Sequence, residues 1–345
     1  MSSIPTETGS RWPHRIAVLL VCVTFPLIWV GGLVTSYDAG MAVPDWPSTY
    51  GYNLFAYPWT TWFFGPWDLF IEHGHRLLGA AAGMVCIALV LATFVSDTRG
   101  WVRAFSVATL AMVIVQGTLG GMRVLLDARQ VAMLHGITGP VFFAMATAMA
   151  VFTSPLWRQQ RSVASDGVVM GRGILGAERL HRLGLLTVLF AYIQLVLGAQ
   201  LRHVPVDASP SRFNVALMFH LGMAFVLTVH VLLLAIRVYR LPSPISALRR
   251  PATILVFLLA VQIGLGSATW VLKYAWPSWM TGFGFAASHV NQADSWLTAV
   301  TVTAHVAMGS MILVTSLVIL LRSLRLAPAE AKSKAVRTLA VGWIA

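Results

Sequence analysis

A carboxylate and an imidazole stand three residues apart at Glu72 and His75, and Arg76 follows directly. An apolar run at residues 77–95 comes next, so these polar side chains lie where a membrane-length helix begins. Residues three apart share one face of a helix, so both side chains can address one bound object. A carboxylate can transfer protons and an imidazole can ligate a metal.

Three further histidines, His135, His220 and His305, recur in later apolar runs. Each lies roughly 6 to 12 Å inside its run at about 1.5 Å per residue. His75 matches this depth if its helix already begins near Asp68. The four imidazoles are therefore predicted to form one layer near one face of a membrane.

The composition is that of an integral membrane protein. Hydrophobic residues make up 57% of the chain and charged residues 10%, whereas about a quarter of the residues of a soluble domain are charged. The formal charge of +12 does not indicate nucleic-acid binding, because Lys and Arg cluster in short segments between apolar runs. Cys22 and Cys86 each lie inside an apolar run, which indicates neither a disulfide framework nor a cysteine metal site.

Eight apolar runs are long enough to cross about 30 Å of hydrocarbon. They occupy residues 16–35, 77–95, 102–121, 131–152, 183–201, 215–236, 252–272 and 297–321. We therefore expect eight transmembrane helices.

The basic residues predict how these helices are oriented. Of the 24 Lys and Arg, 18 fall in residues 1–15, 96–103, 153–182, 237–251 and 322–345. By the positive-inside rule both termini are cytoplasmic and the histidine layer faces outward. No cleavable signal or transit peptide is expected before the first run, which favours a bacterial cell (inner) membrane. The first outer segment, residues 36–71, contains no Lys or Arg and is rich in aromatic residues, as expected of an ordered cap at the membrane interface.

An internal repeat divides the chain into helix hairpins. A Gln and a Gly four residues apart recur at Gln116 and Gly120, at Gln194 and Gly198, and at Gln262 and Gly266. Gly31 and Gly32 hold the similar place in the first run, and the run after each glycine carries one of the four histidines. Small residues let helices approach closely in lipid, so packing alone also explains these glycines.

Four such hairpins predict an all-α membrane protein whose eight transmembrane helices form two similar four-helix bundles. We assign residues 1–152 to an N-terminal half, 153–182 to a cytoplasmic linker, and 183–345 to a C-terminal half with a basic cytoplasmic tail.

Two histidines that face each other across a bundle can ligate both axial positions of a haem iron. The predicted pairs are His75 with His135 and His220 with His305. Zinc is disfavoured, because each pair lacks the third and fourth ligands of a tetrahedral site. Haem propionates need cations on the outer side, and the candidates there are Arg76, Arg123, Arg129, Arg202, Arg212 and Lys273.

The halves differ in one residue type. Glu72 precedes His75 by one turn, whereas Leu217 and Val302 precede the second pair. Only the first half therefore has an acid-base group beside the predicted macrocycle. The alternative is that Glu72 only pairs with Arg76 at i+4.

The other six histidines are not predicted to be ligands. His181 opens the fifth run among arginines, and His230 lies about 15 Å deeper than His220. His73 points away from His75 on the helix. We place His14, His203 and His289 in tails or loops.

Taken together, the eight runs in two similar halves and the local motifs resemble those of haem A synthases. The local motifs are residues 31–35 at the end of the first run, the loop at residues 38–47, the Glu72–His75–Arg76 motif and the Gln-Gly hairpins. The resemblance implies oxidation of the C8 methyl of haem O to the formyl group of haem A, which terminal oxidases use.

That resemblance also implies residue roles. Glu72 would be the catalytic carboxylate, His75 and His135 would hold the haem O substrate, and His220 and His305 would ligate a haem b cofactor. The implied partners are a haem O synthase in the same lipid membrane and an electron acceptor that the sequence does not name. Some relatives carry a cysteine pair in the first outer loop, and this chain has none there.

Two other functions use the same histidines. A di-haem b-type membrane cytochrome would transfer electrons to or from quinone without chemistry on the macrocycle, and would give Glu72 no task. A haem carrier or assembly factor would perform no chemistry of its own.

Overall fold

A computed structural model describes residues 10–158, 177–205, 207–241, 246–287 and 295–326. Within these ranges, eight helices are long and apolar enough to span a membrane. They are α1 (Trp12–Ser36), α2 (Trp67–Ser96), α3 (Gly100–Leu125), α4 (Arg129–Thr153), α5 (Ala177–Arg202), α6 (Pro210–Tyr239), α7 (Ser246–Tyr274) and α8 (Trp296–Leu326).

The eight predicted spans are confirmed, and the protein is an all-α membrane protein. Each helix extends beyond its apolar run, because helical backbone continues into the flanking polar residues. The extension matters most in α2, which begins at Trp67, directly after Pro66, and so contains Glu72, His75 and Arg76. His75 is expected to match the depth of the other histidines if its helix begins near Asp68, and α2 does begin there.

The helices pack as two bundles with separate hydrophobic cores. One core joins α1 to α4 and includes Leu20, Leu89 and Met149. The other joins α5 to α8 and includes Leu234, Leu255 and Ile319. Both cores consist of side chains that recur at helical spacing on facing helices.

Two helices lie centrally between the bundles. About half of the apolar window of α4 (50%) and of α8 (56%) is buried, against 17 to 28% for the other six helices. α1 and α4 both pack against α8. The remaining apolar surface faces outward, as expected where lipid rather than water surrounds the protein.

All four histidines of the predicted layer lie at the same end of the bundles, where odd-numbered helices finish and even-numbered helices begin. We call this the histidine end. It also carries the segment between α1 and α2, which includes a short helix, Trp59–Phe64. The segments 1–9, 159–176 and 327–345, which contain most of the predicted linker and tail, lie outside the described residues, as does His289.

Candidate functional site

The structure brings the predicted histidine pairs together. The ring centroids of His75, on α2, and His135, on α4, are 6.2 Å apart with an interplanar angle of 88°. Those of His220, on α6, and His305, on α8, are 6.3 Å apart at 63°. Each pair lies across one bundle, and the two halves repeat the arrangement.

These separations leave room for one metal ion between two imidazoles. A metal–nitrogen bond of about 2.0 Å and about 1.1 Å from nitrogen to ring centre, counted on both sides, total roughly 6.2 Å. A direct hydrogen bond of about 2.9 Å between ring nitrogens would bring the centroids to about 5.1 Å. Both pairs are therefore too far apart for that bond and correctly spaced for a shared ion.

Each pair offers only two protein ligands. Among the described residues, no group of three or more His, Cys, Asp and Glu side chains is placed to hold a metal ion. A pair of imidazoles suits an iron that brings four equatorial nitrogens of its own, which is what a porphyrin supplies. The donor set therefore fits a haem.

A glycine of the preceding helix lies against each of the four imidazoles. A Cβ added to that glycine would approach Cε1 of the histidine closely in every case. The distances are 2.7 Å for Gly31 and His75, 3.3 Å for Gly120 and His135, 3.2 Å for Gly198 and His220, and 3.0 Å for Gly266 and His305. The glycines of the sequence repeat thus form a cradle for the ring, beyond allowing close helix packing.

The glycines also give the rings access to the helix backbone. The carbonyl four residues before the glycine lies beside the ring at Leu27 for His75, at Gln116 for His135 and at Gln262 for His305. Nδ1 of these three histidines is buried without a hydrogen-bond partner. A metal-bound imidazole commonly donates its second N–H to a backbone carbonyl. A small ring rotation would satisfy each Nδ1 in this way and leave Nε2 for a metal.

The amides of the repeat differ between the halves, which the sequence pattern did not reveal. Nε2 of Gln194 lies 3.2 Å from both ring nitrogens of His220, and Nε2 of Gln262 lies 3.5 Å from Nε2 of His305. Gln116 in the first half instead donates to Thr138. Only the second pair therefore has amide donors directed at its imidazoles.

Glu72 is buried and fully engaged. Only 4% of the residue is exposed. Oε1 lies 2.8 Å from Nη2 of Arg76, and Oε2 accepts a 2.9 Å hydrogen bond from the backbone N–H of Val43. The i+4 ion pair considered as an alternative is therefore present, and Glu72 additionally holds the loop before α2.

Arg76 fastens the same loop. Its guanidinium donates to the backbone carbonyls of Val43 at 2.8 Å, Asp45 at 2.7 Å and Ser48 at 2.8 Å. A planar guanidinium can satisfy several acceptors at once, and here they are three loop carbonyls and a carboxylate. Arg76 is thus committed to the protein and is a poor candidate for a propionate.

The loop at residues 38–48 also contacts α3. The indole of Trp46 packs on Gly121, and the guanidinium of Arg123 packs on Gly40, leaving no space for a Cβ at either glycine. Arg123 acts electrostatically on both His75 and His135. No hydrogen bond joins its side chain to another residue in the described ranges. The charges of Glu72, Asp38 and Asp127 act on Arg123, but its donors, unlike those of Arg76, are not committed to protein acceptors.

The other candidate cations occupy different places. Arg202 donates through Nη2 to the carbonyl of Gly32 at 2.8 Å and to Oγ of Ser36 at 2.7 Å. Lys273 lies within electrostatic range of Arg202. Arg129 and Arg212 are exposed near the starts of α4 and α6.

The remaining described histidines have other surroundings. His73 is 2% exposed, contacts Oγ1 of Thr49 through Nδ1 at 3.0 Å, and packs between Tyr57 and Trp62. His14 lies inside α1 rather than in a tail, because the helix begins at Trp12, and its Nδ1 lies 3.0 Å from the carbonyl of Ala150.

His230 and His203 each contact the backbone carbonyl of the residue four positions earlier in the chain. Nδ1 of His230 lies 2.8 Å from the carbonyl of Val226, and Nδ1 of His203 lies 2.8 Å from that of Ala199. His203 follows α5 directly, and burial lowers its pKa, as do the nearby arginines. His181 is buried at the other end of α5.

No protein-family model matches this chain, and no curated protein sequence matches it significantly. The resemblance to haem A synthases is therefore an expectation from the sequence motifs alone.

Proposed function

We propose that this protein is a haem A synthase, which oxidises the C8 methyl of haem O to a formyl group in the membrane. The observation that carries the proposal is the two glycine-cradled histidine pairs, at 6.2 and 6.3 Å, of which only the first has a carboxylate one turn away. In this proposal His75 and His135 hold haem O, and His220 and His305 hold a resident haem b.

The reaction would consist of two successive hydroxylations of one methyl group, each a two-electron oxidation whose electrons pass to the electron acceptor in the membrane. The gem-diol that results would lose water to give the aldehyde. His220 and His305 would hold the haem b, which would supply electron transfer.

The residues of this chain orient the substrate and move protons. The glycine cradles fix the imidazole rings, and Arg123 provides the charge that an anionic propionate of the first ligand requires. Arg202 and Lys273 provide the corresponding cations near the second pair. The loop at residues 38–48 packs on α2 and α3 at the end of the first bundle.

Glu72 can exchange a proton when its contact with Arg76 or with the Val43 N–H loosens. Ala42, next to Val43, lines an open cleft of about 500 Å³, as do Tyr50 and Asp68. The cleft therefore reaches the chain neighbour of the Val43 N–H that donates to Glu72. We assign proton transfer during methyl oxidation to Glu72 on this basis.

The histidine end faces the outside of a bacterial cell membrane in this proposal, with both termini cytoplasmic. A haem O synthase in the same membrane would supply the substrate, because haem O is too apolar to cross water readily.

Pigment extraction from the purified protein tests the proposal. Haem A or hydroxylated haem O is expected together with haem b, and a His75→Ala variant should retain haem b alone. Haem b as the sole pigment at both pairs would contradict the synthase.

One observation favours the di-haem cytochrome as a second candidate. Both oxygens of Glu72 are engaged by Arg76 and Val43, which gives the carboxylate a structural task that an electron carrier would also need. The cytochrome predicts two haem b per chain and full electron transfer in a Glu72→Gln variant.

A further inference from the structure

A polar contact group joins the two histidine pairs, and none of the sequence motifs indicates it. We call this group the seam and define it as Gly32 and Ser36 of α1, Arg202 of α5, and Thr303 of α8. Arg202 donates to Gly32 and Ser36, and Oγ of Ser36 lies 3.2 Å from Oγ1 of Thr303.

The seam is close-packed. Thr303 is 1% exposed, and a Cβ added to Gly32 would lie 2.8 Å from Cγ2 of Thr303. Such an interface cannot deform gradually, because any shift of α8 along this contact must be followed by α1. Ser36 then transmits the same shift to Arg202 through its hydrogen bond.

Each seam residue is close to one histidine pair. Thr303 precedes His305 by two residues on α8. Gly32 follows Gly31, where an added Cβ would lie 2.7 Å from Cε1 of His75. Arg202 is one helical turn beyond Gly198, where an added Cβ would lie 3.2 Å from Cε1 of His220. The seam is therefore connected to both pairs along the helices, through two residues of α8, one turn of α5 and the peptide bond between Gly31 and Gly32.

We propose that the seam couples the two histidine sites, so that occupancy of the second pair by haem sets the affinity of the first pair for its haem. The inference rests on the proposed haem function. It goes beyond that function by assigning Thr303, Ser36 and Arg202 as positioning residues that act through Gly31 and His75. A synthase coupled in this way admits substrate only after its electron relay is in place.

The physical basis is a shift of α8. A metal ion between His220 and His305 fixes both rings at one separation and thereby fixes α8. Thr303 then holds Gly32, and the open face of Gly31 stays aligned with His75. With the second pair empty, nothing fixes the separation of His220 and His305, so α8 holds Gly32 and the cradle of His75 less tightly.

Haem titration of the purified full-length protein in nanodiscs tests the coupling. Ferric haem b is the probe, and its Soret band reports binding at the first pair. The affinity is measured once with the second pair filled and once in a His220→Ala, His305→Ala variant. We expect the filled form to bind about fivefold or more tightly, within the usual range of coupling between sites. The reverse experiment, with His75→Ala and His135→Ala, must give the same factor, because coupling is reciprocal.

The ratio of the two affinities of the first pair, with the second pair filled and empty, is then measured in variants of the seam. Thr303→Val keeps the shape but removes the hydrogen bond to Ser36, and Ser36→Ala removes both side-chain contacts; both should bring the ratio towards one. Thr315→Val is the matched control, the same change at another buried threonine about 18 Å further along α8, and should leave the ratio intact.

A ratio of one with the seam unaltered, or an unchanged ratio in both seam variants, would overturn the coupling while leaving the proposed function standing. Coupled binding without methyl oxidation would support the seam and contradict the synthase. Absence of haem from both pairs would overturn both proposals.

Discussion

Gly31 lies so close to His75 that a methyl group on the glycine would sit 2.7 Å from Cε1 of the imidazole. The same contact recurs at the other three histidines with distances up to 3.3 Å. The position of each ring is thus set by the absence of a side chain on the neighbouring helix. Glycine at these places is a requirement of the site.

A graded effect of Gly→Ala substitutions is expected from these distances. Gly31→Ala should abolish haem binding at the first pair, whereas Gly120→Ala should only weaken it, because its neighbour needs to move by a few tenths of an ångström. Overpacking of this kind costs about 1 to 3 kcal/mol. Haem content per chain, read from the Soret band, measures the effect.

One matched control lies on α3 with Gly120, and a second lies on α7 with Gly266. Gly117 and Gly264 have open space where a Cβ would be, so Gly117→Ala and Gly264→Ala should keep full haem content. Equal losses at Gly117 and Gly120 would show that helix propensity or lipid packing, and not the imidazole, selects glycine.

The Glu72→Gln substitution distinguishes the proposed proton transfer by Glu72 from its structural role in holding the loop before α2. The amide oxygen can still accept from the Val43 N–H, so the loop and both haem sites should persist. Methyl oxidation should fall about 10²-fold or more, because the titratable proton is lost. Cells that depend on this variant should accumulate haem O and contain little haem A. The control is Asp207→Asn, an exposed carboxylate in the segment between α5 and α6. Haem A production at the normal rate would leave Glu72 only its structural role.

His220→Ala and His305→Ala should each remove the low-spin haem b spectrum and stop activity by interrupting electron transfer. His230→Ala is the matched control on α6, because its ring contacts the Val226 carbonyl instead of another histidine. Full low-spin signal in both variants would mean that the pairs are assigned wrongly.

The ion pairs of Asp97, between α2 and α3, should make the stability of the protein depend on pH. Burial raises the pKa of Asp97, but hydrogen bonds and charge from Arg99, with Arg158 nearby, outweigh it and lower the pKa below its usual value. The stabilisation is therefore present above the ordinary aspartate pKa of about 3.9 and is lost as the pH falls through the lower folded-state value.

The thermal unfolding temperature of Asp97→Asn should accordingly lie below that of the unaltered protein at neutral pH. The difference should shrink at pH values under about 3.9. A difference that stays constant down to strongly acidic pH would mean that the carboxylate charge is not what stabilises this corner.

Cysteine labelling tests the predicted orientation. In a chain with Cys22 and Cys86 replaced by serine, a membrane-impermeant thiol reagent should react with cysteine at Ser48 or Ser209 in intact cells. Cysteine at Ser246 should react only after the membrane is opened. The reverse pattern would overturn the positive-inside assignment of the termini.

The sequence alone determined the eight spans, the hairpin repeat and the layer of four histidines. These follow from local properties, because run length, basic flanks and a repeated Gln-Gly spacing are each carried by neighbouring residues. Pairing of His75 with His135 and of His220 with His305 followed from the same repeat. The glycine positions were visible too, although their contact with the rings was not.

Only the tertiary structure decided what Glu72 and Arg76 touch. Their partners in the loop are backbone groups, namely the N–H of Val43 and the carbonyls of Val43, Asp45 and Ser48. Backbone groups are the same in nearly every residue type, so the sequence pattern could not predict these contacts. The contacts of the seam, among them those of Arg202, Gly32 and Thr303, could not be predicted from the sequence for a related reason. The seam joins helices up to 271 residues apart in the chain, and such contacts form only when two completed bundles pack together.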